Sequence, residues 1–359
     1  MQTDVLIVGG GLAGLALADQ LARAGTDFQL IEARDQFGGR ILTQTIAGGT
    51  FDLGPAWFWP GQPRIEALVR RFDFPVFEQY ASGELIYQDH TGAVQRGHGF
   101  ASMQGSLRLD GGLDRLIDSL ASGLPADRVM ISARLISLTR QPDGIAASVE
   151  RSGSATEFRA KRVVLALPPR VIAQTVRFDP ALEPEQTKAL AGIPTWMAGQ
   201  AKIVAVYSAP HWRQAGLSGD AMSQRGPMVE IHDASPRLGG PYALFGFVGV
   251  PPDTRAAHAK EIVPLALAQL ETLFGPAMAT PLDIVLKDWA TVPEVATTQD
   301  HAAVTHHPRY GLPPQLRTIW DGALLLGSTE TGAEFGGFLE GALEAAEACA
   351  SALHPRSPD

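Results

Sequence analysis

Cysteine is almost missing from these 359 residues: Cys349 stands alone. A single thiol excludes an internal disulfide and a thiolate metal cluster. Long hydrophobic runs are lacking as well, and none approaches the ~18 apolar residues of a membrane-spanning helix. Charge of one sign never gathers into a block, and 38 acidic against 29 basic residues leave a net charge of −9. Nucleic acid and anionic membrane surfaces are therefore poor partners. No G-x-S-x-G and no Cys/His nucleophile arrangement is present. His301, His306 and His307 cluster but have no carboxylate pair at ligand spacing, so no metal site is expected, and His306 or His307 lining a substrate cavity is the better reading. The start, "MQTDVLIVGGG", reaches its glycines too soon for a signal peptide, and cytoplasmic residence is the expectation.

What is present is apolar and rich in glycine: 45% hydrophobic residues and 38 glycines. The length allows two joined domains. "DVLIVGGGLAGLALADQLARAGTDFQLIEARDQFGGR" is the most informative stretch. Asp4 to Val8 reads as a buried strand, Gly9, Gly11 and Gly14 fit G-x-G-x-x-G, and Leu15, Ala18, Leu21 and Ala22 follow at helical spacing. Phe28 to Ile31 is a second strand ending at Glu32. Gly9 permits the tight turn, Gly11 the approach of backbone N–H groups to a pyrophosphate, and Gly14 close helix–strand packing. Glu32 stands where a carboxylate accepts ribose hydroxyls. A dinucleotide site follows, with NAD and FAD both open at this point.

Further on, "DGGLDRLIDSLASGL" reads as a helix and "KRVVLALPP" as a buried strand ended by a proline pair. "AKIVAVY", "PMVEIHD", "YALFGFVGV" and "LDIVLKDW" are strand-like, with "AKEIVPLALAQLETLF" a helix whose proline bends it or delays its start. They suggest a separate antiparallel sheet with a covering helix. Leu324 to Leu326 is a strand and roughly Phe335 to Leu353 a helix, with Leu339, Leu343, Ala346 and Ala350 on one face and Glu340, Glu344 and Glu347 on another. The expected fold is α/β: a Rossmann-like FAD-binding domain of the glutathione-reductase type, interleaved with a smaller α+β substrate domain built on an antiparallel sheet. The expected boundaries are 1–60, 106–195 and 296–354 for the first, 61–105 and 196–295 for the second, and a disordered tail at 355–359.

"EARDQFGGR" places Arg34, Gly38, Gly39 and Arg40 directly after the acidic residue, and "FDLGPAWFWP" follows. Together with "GSTETGAEFGGFLEGALEA" near the C-terminus, these segments resemble the flavin amine oxidase superfamily (monoamine and polyamine oxidases), here in a short form of bacterial type. The resemblance implies FAD. At the N-terminal end it assigns Gly9, Gly11, Leu12, Ala13, Gly14, Glu32, Ala33, Arg34, Gly39 and Arg40 to the cofactor, and Pro55, Ala56 and Trp57 to the flavin ring. It adds Val129 at the adenine end, and Glu330, Phe338 and Leu339 where a helix N-terminus points at the flavin pyrimidine. No second G-x-G-x-x-G follows a strand, which disfavours a reductase fed by NAD(P)H.

"WMAGQAKIVAVYSAPHW" holds a lysine inside a buried strand, where an unpaired ammonium is costly. The segment resembles the amine oxidase strand whose lysine holds a water near flavin N5. That resemblance makes Lys202 the residue that orients water and assists reoxidation, satisfied by water and the flavin. Trp289 matches the tryptophan flanking the ring, and Phe338 one of two aromatic rings that sandwich the amine. The second ring belongs near Val304, where this chain has no aromatic. Covalent members use a cysteine where this chain has Ala303, so noncovalent FAD is expected. Only a short stretch separates Pro60 from Ser106, in place of a long helical insertion, which implies a shallower or more open pocket.

By resemblance, the protein oxidises a small-molecule amine, passing hydride from the α-carbon to flavin N5, with an imine product and reoxidation by O2 to H2O2. A homodimer is compatible with the sequence. One alternative is a related flavoenzyme that desaturates C–C bonds, of the protoporphyrinogen or carotenoid type. Lys202 argues mildly against it and the missing aromatic mildly for it. Another is a flavin-dependent isomerase of the sugar-nucleotide mutase kind, which needs an arginine cluster that the middle of the chain lacks. A non-catalytic FAD-binding scaffold is the weakest.

Overall fold

The computed structural model describes residues 1–302, 304 and 306–354. The expected disordered tail at 355–359 and the expectation about Ala303 lie outside the described residues.

β1 (Gln2–Val8) runs parallel to β2 (Phe28–Ile31), with Val8 opposite Ile31, and α1 (Leu12–Arg23) joins them. α1 buries Leu15, Leu17, Ala18 and Leu21 because apolar residues recur on the face turned to the sheet. Ser154–Leu165 flanks β1 on its other side, also in parallel. The first half of that long strand belongs to an antiparallel hairpin with Gly144–Arg151, and its last residues pair with Leu324–Leu326. It ends before Pro168 and Pro169 because proline supplies no N–H to a ladder. α2 (Leu339–Leu353) packs Leu339, Leu343 and Ala346 into one core with Leu12, Leu15 and Leu21 of α1. It begins four residues later than the sequence suggests, because Gly337 takes φ +85° in the preceding turn. The opposite side of α2 is also engaged: Glu340 is fully buried and accepts from the Arg64 and Ile65 amides, capping helix Pro63–Arg71.

A second sheet of seven strands centres on β3 (Ala201–Tyr207), β4 (Leu217–Ser223), β5 (Met228–Asp233) and β6 (Tyr242–Val248). The strand order is Asp283–Asp288, β3, β6, β5, β4, Glu84–Gln88, Val94–Arg96. Pairing is antiparallel except between β4 and Glu84–Gln88. β4 was not anticipated from sequence: "LSGDAMS" carries no alternation of apolar and polar residues to mark it. Helix Ala259–Phe274 starts before Pro264, so the proline does not delay it.

This sheet has two different faces. Ala201, Ile203, Ala205 and Tyr207 point to the covering helix and pack with Ile262, Ala266 and Leu270. Strand alternation sends Lys202, Val204 and Val206 the other way, where Val204 and Val206 meet Phe51, Leu53 and Phe245. Lys202 therefore faces the segment Phe51–Gly54, not the bulk solvent.

Candidate active site

Between the two sheets lies a cavity of about 610 Å³. Its wall at one end is the β1–α1 turn. Gly9 takes φ +109°, and a Cβ there would sit 2.6 Å from the Ala166 carbonyl oxygen. Gly39 crosses so close that its Cβ would come within 3.2 Å of the Gly11 Cα. The Glu32 carboxylate closes the end of β2, accepting from the Gly10 amide at 2.7 Å and the Arg34 amide at 2.9 Å. The α1 N-terminus reaches the wall through Leu12 and Ala13, and the α2 N-terminus through Phe338 and Leu339. Both bring amides without helical acceptors and a partial positive charge. Ser328, also on the wall, has a buried hydroxyl with no hydrogen-bond partner among the described residues.

These features fit FAD. An exposed glycine turn and a helix N-terminus suit a pyrophosphate, a carboxylate at the strand end suits a ribose, and an orphaned hydroxyl suits a polar ring edge. The cavity wall includes every expected site residue except Gly14, Val129 and Glu330. Gly14 sits behind the turn, where a Cβ would lie 1.9 Å from the Gly9 carbonyl oxygen. Val129 pairs with Leu30 at the sheet edge. Glu330 is fully buried and holds Arg40 through two hydrogen bonds of 2.7 and 3.2 Å. Arg40 thus reaches the wall already paired with a carboxylate, so it brings less net charge to a phosphate than the sequence suggests.

Lys202 lies 3% exposed on the cavity wall. Its Nζ donates to the carbonyls of Asp52 at 3.0 Å and Gly54 at 2.9 Å, and sits 4.1 Å from the centre of the Phe245 ring. This corrects the expectation that water and flavin alone satisfy it: two of three donors go to backbone. Burial pushes its pKa down to about 7, with Asp52 raising and Arg108 lowering it. Trp289 donates through Nε1 to the Leu53 carbonyl at 2.9 Å, which fixes its ring at the wall.

The aromatic end differs from expectation. Val304 is off the wall, and His307 instead stacks on Phe338, with ring centres 4.8 Å apart and planes 11° from parallel. Trp196 meets the same imidazole edge-on at 4.8 Å, and Trp59 meets Phe338 at 6.0 Å. The stack is too tight to admit an amine between its rings, so an amine would lie beside it.

Sequence reasoning missed the acidic side of the site. Across the sheet, Lys202 pairs with Phe247 and Phe247 with Glu230, which places Lys202 and Glu230 on one face, two strand spacings or roughly 10 Å apart. Glu230 lines the cavity. Its Oε1 accepts from Ser102 at 2.6 Å and faces His232 Nε2 at 2.9 Å. His232 Nδ1 in turn lies 2.6 Å from Asp220 Oδ1. Burial pushes the Glu230 carboxyl up, but its bonds from His232 and Ser102 outweigh this and hold it below its ordinary value. Burial likewise opposes charge on His232, and its bonds to Asp220 and Glu230 outweigh it, raising the imidazole above its ordinary value. The available signal was the alternation of Glu230 and His232 in "PMVEIHD", which puts both on one face of a strand.

A family model described as flavin containing amine oxidoreductase matches residues 77–354, and one described as NAD(P)-binding Rossmann-like domain matches residues 7–72. The putative flavin-containing monoamine oxidase AofH of Mycobacterium tuberculosis is 27% identical over 454 aligned residues, covering 97% of this chain and 96% of that one. A putrescine oxidase of Kocuria rosea is 37% identical over 87 residues, 24% of this chain and 18% of that one. A solved structure of wild-type putrescine oxidase bound to putrescine superposes with a TM-score of 0.80 at 21% identity, covering 98% of each chain, a likeness of fold.

Proposed function

The chain belongs to the flavin-containing amine oxidoreductase family, and from that premise we propose that its substrate is an amine carrying a second positive charge at its far end. The observation that carries this reading is the Glu230 carboxylate. Two donors hold Oε1, and no donor among the described residues reaches Oε2, so an acceptor is left on the wall of a largely aromatic and aliphatic cavity. The one imidazole beside it is shared with Asp220, so the pair of carboxylates keeps negative charge to offer, and an ammonium group at the open oxygen meets it. The putrescine oxidase relatives act, by name, on a diamine.

In this reading the residues divide the work. Gly9, Gly11, Leu12 and Ala13 receive the cofactor's pyrophosphate, Glu32 its ribose, and Arg34 its charge. Pro55, Ala56, Trp57 and Trp289 would hold its ring, and Ser328 with the amides at Phe338 and Leu339 would meet its polar groups. The chemistry that bound FAD supplies is removal of a hydride from the carbon bearing the nitrogen, with O2 as final acceptor. The apolar wall of Trp59, Trp196 and Phe338 favours the neutral form of the reacting amine by withholding water from its ammonium form. Lys202 keeps one donor for a water, and with a pKa of about 7 it can take or release a proton at Nζ near neutrality. Cys349, the single thiol, is buried in the core behind the cavity, which supports noncovalent attachment. Cytoplasmic residence and a homodimer belong to the same proposal, and cell fractionation and sedimentation velocity test them.

Anaerobic mixing of the holoenzyme with a library of amines tests the substrate class through loss of flavin colour. 1,4-Diaminobutane should bleach it faster than butylamine at equal concentration, and Glu230→Gln should cut that preference by about tenfold. Equal bleaching by both amines would refute the reading.

A further inference from the structure

His232 presents both ring nitrogens to carboxylate oxygens, Nδ1 to Asp220 and Nε2 to Glu230. Ionised carboxylates only accept hydrogen bonds, and a neutral imidazole carries only one N–H. Both contacts are therefore satisfied when the ring is an imidazolium between two carboxylates. The imidazole is 1% exposed, and its ring neighbours are Trp57 at 5.2 Å and Phe245 at 5.4 Å, neither of them titrating near neutrality. Among the described residues Asp220 and Glu230 are the charged groups that reach it, and His98 lines a small hollow with it and Asp220.

The consequence falls on Glu230. Its side chain hangs from β5 beside a register shift between Met228 and Glu230, and needs a support to hold one orientation. His232 lies two residues on, on the same face, and Ser102 arrives from beside Met103, which lines the cavity. Both take Oε1, which leaves Oε2 without a donor among the described residues, on a side chain that lines the cavity. Of the three charges, the imidazolium offsets one carboxylate, and the remaining negative charge is the one a substrate can meet.

Resting on the substrate class proposed above, we infer that His232 is a positioning residue, held by Asp220, that keeps Glu230 ionised and aimed and so sets the preference for amines with a second cationic group. Asp220 acts one step further back, by keeping the second proton on the ring. With asparagine at that position the ring loses a charged acceptor, and the imidazolium gives up its second proton at lower pH.

The test compares the wild-type holoenzyme with His232→Gln, Asp220→Asn and Glu230→Gln, reading kcat/KM for 1,4-diaminobutane relative to butylamine from pH 6 to 9. His232→Gln should lower the ratio by about tenfold or more, through KM for the diamine, and should add little when combined with Glu230→Gln. Asp220→Asn should keep the ratio at low pH and lose it at a lower pH than wild type, a shift that a purely structural role would not produce. Nitrogen chemical shifts of the His232 ring, measured without substrate, should show both nitrogens protonated at pH 7. A wild-type ratio in His232→Gln alongside a lowered ratio in Glu230→Gln overturns the inference and leaves the substrate class standing. An unchanged ratio in Glu230→Gln removes both. A neutral ring at pH 7 overturns the inference even where a variant fails to fold.

Discussion

The β1–α1 end of the cavity and the β3–β6 end offer polar groups to a ligand in different ways. At the first, most of the groups are backbone, the amides of a glycine turn, of two helix N-termini and the chain around Gly39, with the Glu32 carboxylate and Arg34 beside them. At the second they are side chains on one sheet face, Lys202 and Glu230, each held in place by partners from distant parts of the chain. Backbone groups recognise what every FAD shares and tolerate little substitution. Side chains on a sheet face can be exchanged without breaking the ladder, which suits the end that reads the substrate. Damage at the first end should therefore appear as lost cofactor, and damage at the second as altered turnover with the cofactor retained.

The sharpest way to break that distinction is Gly9→Val. The backbone there lies in the left-handed half of φ, and the new Cβ meets the Ala166 carbonyl oxygen. A destabilisation of about 3 kcal/mol or more is expected, together with loss of flavin from the purified protein. A yellow, fully loaded variant with an unchanged melting temperature would show that the turn does not carry the cofactor.

Lys202→Met should leave flavin occupancy intact and slow reoxidation by O2 about a hundredfold, with much less effect on anaerobic reduction. Equal slowing of both half-reactions would remove the role proposed for the lysine. Glu32→Ala has a smaller expected effect, with FAD retention weakened about tenfold and turnover of the loaded fraction unchanged. Unchanged dissociation of FAD would mean that the ribose lies elsewhere. Acid precipitation should release the flavin from all these proteins, and colour left in the pellet would refute noncovalent binding.

The smallest effect is a slope. With a folded pKa of about 7, Lys202 binds fewer protons folded than unfolded between pH 7 and the ordinary lysine value of about 10.4. Its contribution to stability thus rises with pH across that window and is flat below it. Lys202→Met should remove this rise, measured as the difference in denaturation midpoint between the two cofactor-free proteins. Parallel pH curves would mean that the lysine is solvated or fully charged in the folded state.

Legibility in the sequence followed the same division. The turn, α1, β2 and Glu32 were readable because strand and helix periods are local, and the glycines mark where a Cβ cannot fit. Lys202 was readable as an anomaly, an ammonium among aliphatic residues, though its carbonyl partners at Asp52 and Gly54 were not. Val304 was the sequence position for a second aromatic ring, whereas the ring that meets Phe338 is that of His307, three residues on. β4 and the Asp220–His232–Glu230 chain were invisible. Their strand lacks apolar alternation, and nothing in a linear string states which strands neighbour one another.

By itself, then, the sequence determined the dinucleotide turn, the alternation that turns Lys202 away from the covering helix, and the family to which these motifs belong. Only the tertiary structure decided which charges meet. Arg40 finds Glu330 across 290 positions, and Glu230 finds Ser102 across 128. Periodicity fixes direction within an element, whereas contact between elements depends on register and packing. Those arise when the whole chain closes around its cores, and no short window of residues contains them.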